Sequence, residues 1–215
     1  MKIRFYNAKI LTMQSEDIVT GELHTDGDKI TFAGSENIPQ GSFDREIDLT
    51  GKLIIPGFKN AHTHTAMTFL RSFADDLPLN DWLYEQVFPH EAKLTEEAVY
   101  VFTQLGNMEY LTSGITSSFD MYMKLDSYAK ACTDMGYRSV LCGSINDFGG
   151  TVEGIEEEYN KFNRFDPLIS YQLGFHAEYT TKRGTLEGLA KLSQKYKAPM
   201  YTPSSETKSE TDGCR

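Results

Sequence analysis

The sequence is poor in the features that mark membrane, nucleic-acid-binding and disulfide-stabilised proteins. It has 21 basic against 31 acidic side chains, a formal net charge of -10 and no run of five like charges. A surface that binds phosphate needs clustered cations, so neither nucleic acid nor an anionic membrane is an expected partner. No stretch of roughly 18 apolar residues occurs, and the first residues lack the apolar centre of a signal peptide. These absences favour a cytoplasmic protein.

Cysteine is also scarce. Cys132, Cys142 and Cys214 are odd in number, widely spaced and in no CxxC arrangement. This usage fits reduced thiols better than a disulfide framework. Cys132 and Cys142 are therefore interpreted as small buried hydrophobes.

The 215 residues, 40% of them hydrophobic, suffice for a sizeable core. Residues 1–55 alternate short β-rich pieces with turn signals such as Asp26-Gly27-Asp28, which predicts a small all-β segment. From residue 56 onward short apolar strands alternate with helical stretches, which is typical of βα units around a parallel sheet. The sequence thus predicts two parts, 1–55 and 56–215, and an α/β fold class.

The second part contains the clearest element signals. One helix is predicted to begin at the N-cap Thr95 and to end at Gly114, with apolar residues recurring on one face at Ala98, Val101, Phe102, Leu105, Met108 and Leu111. Further helices are predicted over 125–135, 152–162 and 185–196. The predicted strands cover residues 53–61, 115–120, 138–143, 169–176 and 198–202.

Residues 65–94 form a long insertion after the first of these strands, rich in aromatic, leucine and acidic side chains. Loops that follow the strands of a βα barrel lie on its catalytic face. A loop of this length and composition is therefore expected to cover a substrate.

Two histidines at the end of the first strand are candidate metal ligands. His62 and His64 are two residues apart, so in a strand their side chains point to the same side and can reach one ion. A catalytic zinc needs three protein ligands and one open position. Taken alone, an HxH pair is more often a polar strand end than a metal site.

Four further residues occupy similar positions. His176 ends a predicted strand, Glu206 follows the last one, and the insertion offers Trp82 and Glu91. Each has a structural alternative as a strand cap, a solvated acid, a core residue or a helix cap. Together they predict a site at the carboxyl ends of the strands.

The stretch from Leu53 to Thr95, with PG-x-x-N-x-H-x-H, "ADDLPL", "DWL" and the P-x-E that ends at Glu91, resembles the amidohydrolase superfamily. The branch it resembles contains S-adenosylhomocysteine and methylthioadenosine deaminases and related chlorohydrolases. The resemblance implies a (β/α)8 TIM-type barrel preceded by a small β-sandwich segment, with His62 and His64 on a divalent metal. That metal is usually Zn²⁺, with Fe²⁺, Ni²⁺ or Mn²⁺ as the other expected ions.

The resemblance also implies roles for the remaining candidates. His176 would contact the purine, and Glu91 would receive the ribose hydroxyls of a small-molecule substrate. Glu206 would move protons between water and the base. Trp82 would supply an apolar wall against a flat substrate.

Two departures from the family pattern stand out. Pro203 occupies the position of the third ligand, and proline has no side-chain donor. About 160 residues follow the β-rich start, whereas a closed barrel takes about 250. We therefore expect a partial barrel of about five βα units, an N-terminal fragment or truncated product that binds little metal and does not deaminate by itself. The intact enzyme is expected to be a homo-oligomer.

Three functions are compatible with these residues. The leading one is hydrolytic deamination of an adenosine-type or other N-heterocyclic compound. A related one keeps the fold but changes the leaving group, as in a chlorohydrolase, a guanine or cytosine deaminase or a cyclic-amide hydrolase. The third is a non-catalytic fragment that only binds a ligand or partner. The absence of HxE with PCxxC, and of HExxH, disfavours a cytidine-deaminase or zinc-protease site.

Overall fold

The chain passes from one β-sheet to a second at Pro56 and Gly57. The computed structural model of the protein describes residues 1–213, so Cys214 lies outside the described part. Two units are separated at this point, one comprising Met1–Gly57 and the other beginning at Phe58.

The first unit contains one five-stranded sheet, which stands where a small β-sandwich was expected. The order of the strands is β3-β2-β1-β4, and β5 also pairs with β1. The predicted hairpin is present, because Asp26 pairs with Lys29 and Gly27 adopts a positive φ of 58° in the turn between them. The strands are β1 (Lys2–Ile10), β2 (Val19–Asp26), β3 (Lys29–Gly34), β4 (Arg45–Asp48) and β5 (Leu53–Ile54).

The second unit contains a five-stranded parallel sheet in the order β10-β9-β8-β7-β6. A side chain of one edge strand reaches the other edge: the Tyr201 hydroxyl of β10 donates to the Ala61 carbonyl of β6 at 2.6 Å, and its ring stacks on Phe119 of β7 with centroids 4.0 Å apart. The sheet is therefore curled, as in half of a barrel. Its strands are β6 (Phe58–Thr63), β7 (Ile115–Met121), β8 (Arg138–Cys142), β9 (Ile169–Gly174) and β10 (Met200–Tyr201).

The prediction of one continuous strand over 53–61 is wrong. Residues 53–54 pair with β1 in the first sheet, and residues 58–63 pair with β7 in the second. Pro56 lacks an N–H group and has a fixed φ, so it cannot continue a hydrogen-bonded ladder. The ladder therefore stops before Pro56 and restarts in a different sheet.

Four helices connect the parallel strands, and their ends follow local chemistry. They are α3 (Glu96–Thr112), α4 (Leu125–Asp134), α5 (Val152–Phe162) and α6 (Arg183–Tyr196). The Thr95 side chain accepts from the Ala98 N–H at 3.1 Å, which confirms the predicted N-cap. Gly114 and Gly136 take positive φ angles of 78° and 67° just beyond α3 and α4, where side chains other than glycine would be strained.

The helix α3 buries its small and polar residues and exposes much of its apolar stripe. Its buried residues are Val99, Thr103, Gly106 and Asn107. Val101, Leu105, Met108 and Leu111 are 40–51% exposed. Gly106 explains the choice of face, since a Cβ there would lie 2.4 Å from the Thr65 Cγ2 atom. The close approach of α3 to Thr65 thus requires the glycine face to point inward.

The insertion 65–94 is mostly helical, although it was predicted as a loop. A 3₁₀ turn over Thr65–Leu70 is followed by α1 (Leu79–Asp81), a π-helical turn over Trp82–Val87 and α2 (Phe88–Glu91). Buried Leu70, Leu83 and Val87 form its own small core. This core fixes the segment as a lid of regular structure above the sheet.

The main core lies between the sheet and α3, α4 and α5. Each large apolar side chain that is fully buried contributes roughly 1.5–3 kcal/mol. Cys132 and Cys142 are buried free thiols within the packed interior, as expected from the sequence. The largest fully buried side chains of the second unit include Tyr128, Tyr137, Leu141, Phe162, Tyr171, Leu173 and Leu189. Among residues 1–213, no helix has both the length and the apolar character needed to cross a bilayer.

Candidate active site

The two histidines of the HxH pair lie side by side at the end of β6. Their ring centroids are 5.3 Å apart and the ring planes are nearly perpendicular, at 89°. Two imidazoles bound tetrahedrally to one ion at about 2.0–2.1 Å would have their centroids roughly 5 Å apart. The spacing of the rings therefore fits two ligands of a single metal ion.

A backbone hydrogen bond selects the tautomer of His64. Its Nδ1 lies 2.7 Å from the carbonyl oxygen of Met121, at the end of β7. A carbonyl oxygen can only accept, so Nδ1 carries the proton and Nε2 keeps its lone pair. This is the arrangement in which a histidine is ready to bind a metal through Nε2.

One cavity of about 220 Å³ collects four of the six predicted site residues. His64, Trp82, Glu91 and His176 all line it, and they come from the residue after β6, the helical insertion and the loop after β9. The other lining residues are Met67, Leu83, Val87, Phe88, Met121, Tyr122, Met123, Ser144 and Asn146. The cavity is thus mainly apolar, with a few polar groups at fixed places, as is usual for a small-molecule site.

Glu91 is a buried carboxylate at the end of α2, only 8% exposed. Burial raises the pKa of Glu91 above its usual value, while Tyr122 and the charge of His64 act in the opposite direction. A buried carboxylate is costly unless it accepts hydrogen bonds. Its place on the cavity wall makes it a natural acceptor for hydroxyl groups of a ligand.

His176 follows β9 and is fixed by two neighbours. Its backbone N–H donates to the Ile145 carbonyl at 3.0 Å, and its Nδ1 lies 3.0 Å from the Thr180 hydroxyl oxygen. Burial lowers the pKa of His176, and the charge of Glu206 partly offsets this. The ring is therefore neutral at neutral pH and suited to hydrogen bonding with a heterocycle.

Trp82 opens the π-helical turn of the insertion and is partly exposed. Leu83 and Val87 of the same turn are buried against Leu70, which anchors the turn below the indole. π-helical turns are rare and often occur at functional sites. Trp82 packs on this small core and lines the cavity.

The last two candidates behave differently. Glu206 is exposed and does not line the cavity, although its charge acts on the pKa of His176. Its backbone N–H donates to the Glu210 carboxylate at 2.7 Å. His62 is exposed and also lies outside the cavity lining. The structure therefore gathers four candidates around one space and leaves two beside it.

Sequence reasoning missed Asp120, which is 1% exposed at the end of β7. The carboxylate accepts hydrogen bonds from the Thr65 hydroxyl, the Thr65 N–H and the Tyr128 hydroxyl. Burial raises the pKa of Asp120 to about 6, while these hydrogen bonds act in the opposite direction. An acid as the last polar residue of a predicted strand was the signal that could have identified it.

The described residues supply only part of a metal site. Within residues 1–213, no three His, Cys, Asp or Glu side chains come together in a group that could hold an ion. Pro203, the residue at the expected third position, follows β10 and offers no donor. The histidine pair fits a metal, but a tighter site requires donors from elsewhere.

Known proteins share both the sequence and the fold of this chain. The profile of the amidohydrolase family matches residues 53–212. A 5-methylthioadenosine/S-adenosylhomocysteine deaminase of Syntrophomonas wolfei is 37% identical over 98% of this chain and 50% of its own length. A 5'-deoxyadenosine deaminase of Methanobrevibacter smithii is 36% identical over 89% of this chain and 46% of its own length.

A solved structure adds the three-dimensional comparison. An adenosine deaminase from Xanthomonas campestris, crystallised with bound zinc, superimposes with a TM-score of 0.88 at 25% identity and covers 99% of this chain and 51% of its own. This chain belongs to the amidohydrolase family. The resemblance seen in the sequence and the α/β fold with a partial parallel barrel are confirmed. The chain spans about half the length of the curated relatives that it matches.

Proposed function

We propose that this chain carries the substrate-binding side of a metal-dependent hydrolase that removes the exocyclic amino group of an adenosine-type nucleoside. The relatives named above are deaminases of such compounds, and this supports the substrate class. Because the chain spans about half of each relative, the activity is proposed for a protein in which further residues complete the site.

The observation that carries the proposal is the composition of the 220 Å³ cavity. A nucleoside has a flat base and a ribose with neighbouring hydroxyls. The cavity offers the Trp82 indole and neutral His176 for the base, and the Glu91 carboxylate for the hydroxyls. Hydrogen bonds from hydroxyls to a buried carboxylate contribute about 1.5–3 kcal/mol, more than bonds between neutral groups.

His62 and His64 would hold the ion, which we propose to be Zn²⁺ or another divalent metal such as Fe²⁺, Ni²⁺ or Mn²⁺. When bound, such an ion supplies Lewis acidity that activates water for hydrolysis. The protein prepares its part of this chemistry by fixing the His64 tautomer through Met121. Glu206 is proposed to move protons between water and the base through its carboxylate oxygens.

Glu91 provides the experiment that tests this function. We expect Glu91→Gln to weaken binding of 5-methylthioadenosine at least about tenfold, because a neutral amide accepts weaker hydrogen bonds from the ribose hydroxyls than the carboxylate does. Binding of adenine, which has no ribose, should change little. Calorimetric titration of both ligands measures the difference.

Glu85→Gln is the matched control, since Glu85 is an exposed acid on the same helical segment and does not line the cavity. Equal losses for adenine and for the nucleoside, or equal effects of the two variants, would contradict the role of Glu91.

Ammonia release from S-adenosylhomocysteine by this chain alone is expected not to exceed the rate without protein. The cytoplasmic location and the homo-oligomeric state of the intact protein stay predictions.

A further inference from the structure

Thr65, which follows His64, is held by contacts with β7 and α3, and α4 supports its partner on β7. Thr65 is 3% exposed, and its N–H lies 3.2 Å from an Asp120 carboxylate oxygen. The Thr65 hydroxyl donates to the same carboxylate. Asp120 also accepts from the Tyr128 hydroxyl of α4, so its own orientation is set from a second side.

Met121, the residue after Asp120 on β7, fixes His64, the residue before Thr65. Thr63 pairs with Asp120 in the β6–β7 ladder, and the Met121 carbonyl accepts from His64 Nδ1 at 2.7 Å. Asp120 thus fixes Thr65, while Met121 fixes His64. Two successive residues at the end of β7 therefore hold the two successive residues that follow Thr63, the last residue of β6.

The helix α3 closes the third side. A Cβ on Gly106 would lie 2.4 Å from the Thr65 Cγ2 atom and 3.1 Å from the Thr65 carbonyl oxygen. Thr65 therefore has no room to move away from Asp120 toward α3. Close packing on these sides restricts the conformation of the Thr65 backbone.

We infer that Asp120 is a positioning residue for His64: by holding Thr65, it keeps the His64 ring against the Met121 carbonyl and leaves Nε2 bare for a ligand. Among the described residues the ring is hydrogen-bonded to the Met121 carbonyl and not to Asp120, so the positioning effect passes through the backbone of Thr65, beside a direct electrostatic interaction between Asp120 and His64. The fixed tautomer follows from this geometry alone. The step from a fixed ring to a metal ligand rests on the function proposed above.

The purely structural alternative is that Asp120 only satisfies buried donors. Both roles predict lower stability when Asp120 or its partner is changed, since a buried donor without an acceptor is costly. Only the positioning role predicts a change in the His64 ring. A test must therefore read the ring itself.

The test uses Thr65→Val, which keeps the shape of the side chain and removes the hydroxyl donor. At about pH 8, above the ordinary histidine pKa, nitrogen chemical shifts of the histidine rings report the tautomer. We expect a single Nδ1–H tautomer for His64 in the unchanged chain and a mixture in Thr65→Val. Thr65→Ser, which keeps the hydroxyl, should restore the single tautomer.

Ser118→Ala is the control for lost stability. Ser118 is 3% exposed on the same strand, and its hydroxyl lies 3.3 Å from the Ser139 hydroxyl on β8. Ser118→Ala should lower the urea midpoint of unfolding and leave the nitrogen chemical shifts of His64 unchanged. Asp120→Asn gives a second route to the same mixture of tautomers. If both Thr65→Val and Asp120→Asn fold and keep the single tautomer, the positioning role is wrong.

Zinc affinity, measured by competition with a chelating dye, separates this inference from the proposed function. We expect the dissociation constant to rise about tenfold in Thr65→Val, which is typical of losing support behind a ligand. If the unchanged chain and Thr65→Val bind zinc with equal affinity although the variant mixes the tautomers, His64 is not a ligand of the ion, so the proposed metal site fails and the positioning role stands.

Discussion

The first and the last strand of the parallel sheet end in opposite ways. Both are edge strands with one neighbour, β7 for β6 and β9 for β10. Beyond β6, Thr65 is 3% exposed and bonded to a buried acid. Beyond β10, which is two residues long, Ser205 has a positive φ of 59° and Glu206 is exposed.

The difference shows that a place at a strand end does not by itself create a site. β6 is followed by a turn that α3, α4 and β7 enclose, so the His64 ring is held in place before any ion binds. The end of β10 receives no comparable set of contacts in the described residues, and Pro203 has no side-chain atom that could bind a metal. Preorganisation comes from buried polar partners behind the ligand rather than from the sheet alone.

The largest effect is expected from Gly106→Ala. In an exposed helix position this change would stabilise the protein by up to about 1 kcal/mol. Here the added Cβ would meet Thr65 at 2.4 Å, so we expect the free energy of unfolding to fall by about 2 kcal/mol. Urea denaturation measures it, with Gly184→Ala in α6, where nothing lies within 4 Å of an added Cβ, as the control. A gain in stability for Gly106→Ala would show that the first strand end is not tightly enclosed.

Pro203→His tests whether the end of β10 lacks only a metal-binding side chain. A third imidazole should lower the zinc dissociation constant at least about tenfold, which corresponds to about 1.4 kcal/mol. Pro203→Ala removes the proline without adding a donor and should leave zinc affinity unchanged. Equal affinities for the two variants would mean that this strand end lies outside the reach of His62 and His64.

The pH dependence of stability tests the burial of Asp120, the acid that holds Thr65 beyond β6. Burial holds the pKa of Asp120 at about 6, above the usual aspartate value of 3.8. The folded chain therefore keeps a proton that the unfolded chain releases, so this residue's contribution to stability is full below pH 3.8 and is lost as the pH rises through about 6.

Asp120→Asn removes this titration. The free energy of unfolding of the unchanged chain, relative to that of the variant, should fall between about pH 4 and pH 6. Urea midpoints at several pH values give the comparison. A difference that rises over this range would show that hydrogen bonding outweighs burial at Asp120.

Glu206→Ala is expected to have the smallest effect. Glu206 is exposed and its backbone N–H, rather than its side chain, bonds to Glu210. Truncation of the side chain should change the free energy of unfolding by less than about 0.5 kcal/mol. A loss above about 1 kcal/mol would place Glu206 in a structural network and weaken the contrast between the two strand ends.

Much of the fold was readable because local chemistry and long-range structure agree. Thr95, Gly114 and Gly136 mark helix ends through interactions within a few residues, and the structure uses them in that way. The strand predicted over 53–61 failed because one apolar run serves two sheets, which its composition cannot reveal. The exposure of the apolar stripe on α3 could not be predicted from the sequence either, because the contact between Gly106 and Thr65 determines which face points inward.

The candidate site was only partly readable. The sequence predicted His64, Glu91, Trp82 and His176 because they occur at strand ends or in the long insertion, and all four line one cavity. Asp120 was missed although it ends a predicted strand, because its burial and its bond to Thr65, 55 residues away, are not visible in the sequence.

The sequence by itself determined the βα rhythm, the histidine pair, the family and the proline where a donor was expected, because each is a property of neighbouring residues. Only the tertiary structure decided which tautomer His64 adopts, which carboxylates are buried and which face of α3 points inward. These depend on contacts between residues far apart in the chain, where burial and hydrogen bonding set the energy of each arrangement.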